Sequence, residues 1–377
     1  MFKILLTNGA YKQTLAIARS LGAAGYEVGI VSHHALSIGF LSKHCRFRHI
    51  IAQKDDKKAY VTELLALLKK HSYDVVLPVG YPVTGWLAER ADEIQAFSKL
   101  PLAHISAFKI FENKQLTHDL AVQLGIPVPK TFAPKTIAEA TDCLRYLDFP
   151  IVFKKTMEGK NRIAYAYNKS DFFDYFTQFQ TSKDDFIVQE FLNGSGAGYF
   201  ALYERGVLKQ DFMHLRLREY PVEGGASCYA ESIDNEQLRL YGKRILTAQK
   251  WHGVAMVEFK YDAKGAPRLL EVNPKFWGSY DLCVAAGADF AVPYIQMTLG
   301  LTVQPPPQYK RGIRYSWLMN GDLLNGIERG KVGEILSDFF KNTTYSNLSW
   351  HDPLPSLFLI LSGCLSVLKY TLERTKK

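Results

Sequence analysis

Three side chains in GVAMVEFKYDAKGAPRLLEVNPKFWGS, residues 253–279, have the types and spacing to hold a hard divalent cation. Two apolar runs flank DAKGAP, which predicts a β-hairpin turning between Lys264 and Gly265. In that register Glu258 stands directly opposite Glu271, with Cβ atoms ~5 Å apart. Like charges so placed repel, and a cation between them removes that penalty. Asn273 lies two residues past Glu271, on the same strand face. Two carboxylates and an amide oxygen suit Mg²⁺, which commonly completes its shell with water and nucleotide phosphate. A slip of one residue would instead leave a solvent-facing hairpin with hydrated charges.

Cations occur where a phosphate would need them. Phe149-Pro150-Ile151-Val152-Phe153-Lys154 is an apolar strand that delivers one ammonium to the loop KTMEGKNR, a sound way to set a point charge against phosphate. Gly159 frees that loop to approach a ligand, and Lys160 and Arg162 add charge to it. Lys154 could equally snorkel at a strand edge. FIVQEFLNGSGAG, residues 186–198, is a second strand running into a small-residue loop. Leaving the sheet there exposes backbone groups able to pair with an adenine edge. The turn Gln189, Glu190, Phe191, Leu192 is the candidate hinge, with Glu190 near base or ribose, and an ordinary strand end is its plain alternative.

A third element faces the substrate side. In FMHLRLREYPVEGGAS, residues 212–227, alternation sets His214, Arg216 and Arg218 on one strand face and Leu215 and Leu217 on the other. Two arginines there can bind a carboxylate or acyl phosphate, and Gly224-Gly225 lets a loop close. Trp277 and Gly278 follow the metal strand, where an aromatic more often packs than binds.

The elements that must position these groups begin with an alternation. Strand-like KILLT (3–7), EVGIVS (27–32), RHIIA (48–52), DVVLPV (74–79) and KLPLA (99–103) are separated by helix-like stretches, the order of a parallel, doubly wound sheet. Asn8-Gly9-Ala10 follows the first strand, where such folds hold ligands. ISAFKIFENKQLTHDLAVQLGIPVPK reads as one helix closed by Gly125 and broken by Pro127 and Pro129. A domain boundary falls at its start. The expected domains are 1–105, 106–300 with a small lobe at about 131–185 and a large lobe at about 186–300, and 301–377 as a C-terminal extension. That extension follows the stiff Pro305-Pro306-Pro307 and ends in LPSLFLILSGCLSVLKY, shorter than the ~20 residues needed to cross a bilayer. A helix docked on the protein is its first reading, and an in-plane anchor followed by basic residues its second.

Composition sets outer limits. With 377 residues, 47% hydrophobic and 13% aromatic, the chain can build two or three packed units. Its five cysteines are scattered, with no CxxC pair or Cys/His cluster for zinc, which fits reduced thiols in a cytoplasm. No secretion leader is read in MFKILLTNG. The net charge of +9 is spread along the chain, so nucleic acid is not an expected partner. Neither GxSxG nor HExxH occurs, which argues against a side-chain nucleophile or a zinc peptidase.

In their order, these pieces resemble an ATP-grasp ligase from about residue 1 to 300, particularly the carbamoyl-phosphate-synthase-like members. The resemblance is carried by Lys114 in FENKQLTHDLAVQLGIPVPKT, Lys154 in FPIVFKK, the hinge VQEFLNG, Glu258 in GVAMVEF, and Glu271 with Asn273 in LLEVNPKFWGS. It implies α/β plus α+β architecture: an N-terminal doubly wound parallel sheet before a two-lobed ATP-grasp domain. It also implies that Lys114, Lys154 and Lys160 meet ATP phosphates, that Gln189 to Leu192 hold adenine, and that Glu258, Glu271 and Asn273 bind Mg²⁺, with Mn²⁺ as a substitute. Arg216, Arg218 and Lys275 would face the substrate, although Lys275 stands where the family commonly has arginine, and the loop at Gly159 is poorer in glycine. The implied activity is activation of a small-molecule carboxylate as an acyl phosphate for attack by an amine or other nucleophile. A homodimer and peripheral membrane contact are compatible partners. A catalytically inactive nucleotide-binding scaffold and a biotin-dependent-carboxylase-like enzyme are the alternatives.

Overall fold

The computed structural model describes residues 1–157, 163–182, 184–222 and 224–374. Its contacts divide the chain into two units, each assembled from separated segments. The first comprises Met1–Leu102, Lys209–Asp234 and Lys275–Lys377, and the second Ala103–Leu208 and Asn235–Pro274.

In the first unit, strand Lys3–Leu6 lies between Glu27–Ser32 and Val75–Leu77, with Cys45–Ile50 beyond Glu27–Ser32, and every pairing is parallel. This is the doubly wound sheet that the alternation implies. Its apolar strands are buried on both faces, as helical crossovers require. Helix Lys57–Lys70 starts where the Asp56 carboxylate accepts from the Ala59 amide at 3.0 Å. The fifth strand expected at 99–103 reduces to one bridge, Val75 to Lys99. Pro101 has no amide to continue the ladder.

Also in this unit, Ala226–Ile233 pairs antiparallel with the long strand Val207–Tyr220 on one side and with Arg314–Ser316 on the other. Residues from beyond 300 thus complete a sheet. The tail forms one helix, Pro353–Arg374, of 22 residues. It outruns the apolar stretch counted in the sequence and, by length and composition alone, suffices to cross a bilayer. The difference arises at its ends, where Pro353 suits a first helical position and Lys369 and Glu373 pair one turn apart.

The second unit contains two sheets. In one, Ile151–Lys155 pairs antiparallel with Ile163–Ala166 and Phe186–Glu190, and the short Thr131–Phe132 borders the latter. Phe153, Phe172, Phe176, Phe179 and Phe186 fill its core against helix Lys169–Thr181. In the other, Gly253–Tyr261 lies between Gly196–Glu204 and Pro267–Asn273, all antiparallel. Helix Glu236–Ala248 packs closely enough that the Tyr199 ring occupies the place of a side chain at Gly242. The helix expected across 106–124 is two helices, Ile105–Glu112 and Lys114–Gln123. Asn113 is extended between them, and its side-chain oxygen accepts from the amides of Gln115 and Leu116 at 2.9 and 3.2 Å. An Asn cap outcompetes continuation of the first helix.

Candidate active site

The hairpin brings the carboxylates together in the second unit. Glu258 pairs directly with Glu271, and Met256 with Asn273. Nearer the turn the register is one residue different, Phe259 pairing with Leu269, so a bulge at Leu270 restores the face-to-face placement. The turn chemistry alone would not have aligned the two acids. Glu271 Oε1 accepts from Asn273 Nδ2 at 3.0 Å, and its Oε2 meets Lys114 Nζ at 2.5 Å. Lys114 is there because the Asn113 cap starts a new helix at that residue, anchored by its amide donating to the Thr156 carbonyl at 2.7 Å.

Strand alternation sorts the two consecutive lysines of Ile151–Lys155. Lys155 is buried, its ammonium directed to the Phe179 carbonyl, Ser182 Oγ and Asp184. Lys154 points to the opposite face, donating to Gln189 Oε1 at 2.9 Å, while Gln189 Nε2 donates to Thr131 Oγ1 at 2.9 Å. Burial pushes the Lys154 pKa down to about 8; Glu271 and Glu258 act to raise it, while Lys114 and Lys260 lower it further. Burial would also raise Glu271, but the Lys114 and Lys154 charges, with hydrogen bonds from Lys114 and Asn273, outweigh it and keep that carboxyl well below the usual range. The result is an opposed acid pair, with Glu271 held ionised, beside two lysines.

These oxygens suit Mg²⁺. Among the described residues no three or more His, Cys, Asp or Glu side chains converge as a metal cluster, so two carboxylates completed by an amide are the donor set available. Both Glu258 and Glu271 are partly exposed and Asn273 is buried, which leaves the set a floor and an open side.

The hinge is more engaged than expected. The strand ends at Glu190, whose amide donates to the Lys130 carbonyl at 2.9 Å and is therefore not free for a base. The buried Gln189 side chain orients Lys154. Phe191 leaves the strand with its ring edge-on to Tyr165 at 6.0 Å, and Leu192 is buried. Lys260 was missed by the sequence reading, although it shares the Glu258 face two residues on. Its ammonium lies 5.3 Å from the Phe191 ring centre. Lys160, with Gly159 and Arg162, lies outside the described residues.

Arg216, Arg218 and Lys275 belong to the first unit. The expected cationic face there does not form. Register shifts on both sides of Arg218 break the alternation. Arg218 Nε and Nη2 donate to the buried Asp322 at 2.6 and 3.1 Å, Nη1 donates to Asp338 at 2.6 Å, and the guanidinium covers the Tyr229 ring at 3.9 Å. That coordination commits Arg218 to holding the unit together. Its reading as a substrate ligand gives way to a structural one. His214 is fully buried beside Ser279 Oγ at 2.8 Å, and burial, aided by the Arg216 charge, brings its pKa down to about 3, so it is neutral near pH 7. Arg216 lies 3.4 Å from Glu219, and Lys275 is half-buried. Trp277 is buried edge-on against Phe290 at 5.2 Å, a packing role.

Residues 209–320 match the family described as ATP-grasp in the biosynthetic pathway with Ter operon. D-alanine–D-alanine ligase of Anaplasma marginale is 27% identical over 183 residues, 45% of this chain and 54% of that protein. The chain thus spans about half the length of the curated relatives it matches. Among solved structures, the biotin carboxylase domain of Hydrogenobacter thermophilus 2-oxoglutarate carboxylase, in complex with MgADP, ADP and bicarbonate, superimposes with a TM-score of 0.68 at 14% identity, covering 83% of this chain and 73% of that one. L-amino acid ligase from Bacillus licheniformis gives 0.65 at 15% identity, covering 83% and 79%. At such identities these structures establish a shared fold.

Proposed function

We propose that this chain, an ATP-grasp protein, is an ATP-dependent ligase that converts a carboxylate to an acyl phosphate and passes the acyl group to an amine or related nucleophile, releasing ADP and phosphate. The observation that carries this reading is the opposed Glu258 and Glu271 pair, with Asn273, set beside Lys114 and Lys154 within one unit. A scaffold relieved of turnover has no use for that repulsion. The fold shared with an MgADP-bound carboxylase domain and with an amino acid ligase supports the same reading.

Glu258, Glu271 and Asn273 would hold Mg²⁺, or Mn²⁺ in its place, and the ion would supply charge neutralisation at phosphate oxygens. Lys114 and Lys154 add point charges toward the same phosphates, Gln189 keeps Lys154 aimed, and the segment Glu190 to Leu192 flanks the base. In the transfer, a substrate carboxylate oxygen attacks the γ-phosphorus as its bond to ADP breaks. The nucleophile then displaces phosphate from the acyl carbon. Positioning and electrostatics carry both steps, so no side-chain nucleophile is required. Arg216 and Lys275 remain the substrate-side candidates, Lys160 a further phosphate contact, and residues 106–300 the ATP-grasp domain. All five cysteines are free thiols, four of them buried, which supports a cytoplasmic setting. A homodimer is compatible with this activity.

The test is phosphate release from ATP and Mg²⁺ across a panel of carboxylates and amines. Release that depends on one carboxylate and one nucleophile identifies the reaction. ADP binding with no release across the panel would instead favour the scaffold, and bicarbonate-dependent release without an amine would favour a carboxylase.

A further inference from the structure

The helix Pro353–Arg374 carries two apolar faces. One is narrow and docked: Pro355, Leu359 and Gly363, spaced four apart, are its buried residues. Leu359 packs with Leu15 and Ile38 of the same unit, and Met319 fills the place of a side chain at Gly363. Asp352 pins the helix start, accepting from Arg19 Nε at 2.9 Å and from the Lys43 amide at 2.9 Å. The other face is solvent-exposed. Leu354, Leu357, Leu361, Leu365, Leu368 and Leu372 are each at least half exposed, from 53% to 67%. At about 100° per residue they fall within an arc of about 80°, on the side of the helix opposite the docked stripe.

From Cys364 to Arg374 none of the described residues is buried. A stretch this short and apolar is a marginal helix in water unless something covers it. Its surroundings state the chemistry of the cover. Trp350, 97% exposed, precedes the helix. Lys369 sits within the last turns of the leucine run, and Arg374, Lys376 and Lys377 follow it, against one acid, Glu373. An aromatic at one end and a basic end at the other match the interface of an anionic membrane. A parallel pairing of two copies through this face would instead bring the basic ends together.

We propose that this leucine face seats on the surface of an anionic lipid bilayer, with the helix lying in its plane. Length decides against spanning. The undocked part is about 11 residues, roughly 16 Å of helix, against a hydrocarbon core of about 30 Å. The N-terminal half is held by the protein and is not available to insert. This inference does not rest on the nucleotide site, and the two fail separately.

The test is flotation of the full chain with phosphatidylcholine vesicles, with and without phosphatidylglycerol. The wild type is expected to float with the anionic vesicles, less so as salt rises, and to stay behind with phosphatidylcholine alone. The double substitution Leu365→Glu and Leu368→Glu should weaken anionic-vesicle binding by roughly tenfold or more while ADP binding and melting temperature stay unchanged. Absence of wild-type flotation on both vesicle types would overturn the proposal. So would a lipid-free dimer that the double substitution turns into monomer, since a second copy would then cover the face.

Discussion

The hairpin of the second unit and the strand Val207–Tyr220 of the first both place charged side chains close together, yet only the hairpin sets like charges face to face. Around Arg218 every formal charge finds its complement: a fork on Asp322, a third contact on Asp338 and an aromatic face beneath. At the hairpin two carboxylates are set opposite each other, and a half-buried lysine beside them has its proton affinity lowered by burial. A cluster that closes on itself builds structure. One that sets two acids face to face beside Lys114 and a destabilised Lys154 ammonium is arranged for something that binds.

Arg218→Met strands the buried Asp322 carboxylate and should cost about 3–5 kcal/mol of stability. Denaturant unfolding would report this, and nucleotide affinity in the folded fraction should be unchanged. Glu271→Gln reverses the pattern: ATP turnover with the identified substrates should fall roughly a hundredfold, with a melting temperature close to that of wild type. Lys154→Met removes one charge-assisted contact, and calorimetry should find ADP affinity lower by roughly tenfold to a hundredfold. If Arg218→Met lowered affinity while Lys154→Met lowered only stability, the two regions would have to exchange roles.

A smaller effect sharpens the contrast through pH. The Lys154 pKa is lowered to about 8 in the folded protein from an ordinary 10.5. Below about pH 8 the ammonium is charged in both folded and unfolded chains, and its desolvation opposes folding in full. As pH rises from about 8 to 10.5 the folded state has already released a proton that the unfolded state still holds, so this opposition is relieved and stability rises. Nucleotide affinity is expected to move the other way, declining at alkaline pH as the Lys154 charge is lost. Lys154→Arg, which stays protonated, should give a flatter affinity profile over the same range, read by ADP titrations at stepped pH.

Much of this was legible in the residues. The alternation of apolar runs and amphipathic helices carries the parallel sheet, because buried strands and one-faced helices leave different periods in sequence. The Glu258 and Glu271 pairing was legible too, although a bulge and not the turn alone produces it. Other features depend on contacts that sequence order hides. Asn113 stops one helix and starts the next, which is what brings Lys114 to Glu271. The neutrality of His214 comes from complete burial, and the engagement of Arg218 from Asp322 and Asp338, more than a hundred residues downstream. Lys209–Asp234 and Lys275–Lys377 return to the unit begun by residues 1–102, a compaction that chain order does not display. Lys260 could have been found, since it shares a strand face with Glu258.

Calorimetric titration of ADP with and without Mg²⁺ tests whether Glu258, Glu271 and Asn273 hold a divalent cation that grips nucleotide phosphate. Mg²⁺ is expected to tighten ADP binding to the wild-type chain, and removing it with chelator, or introducing Glu271→Gln, to abolish that gain. ADP binding of equal strength with and without Mg²⁺, unchanged by Glu271→Gln, would contradict it.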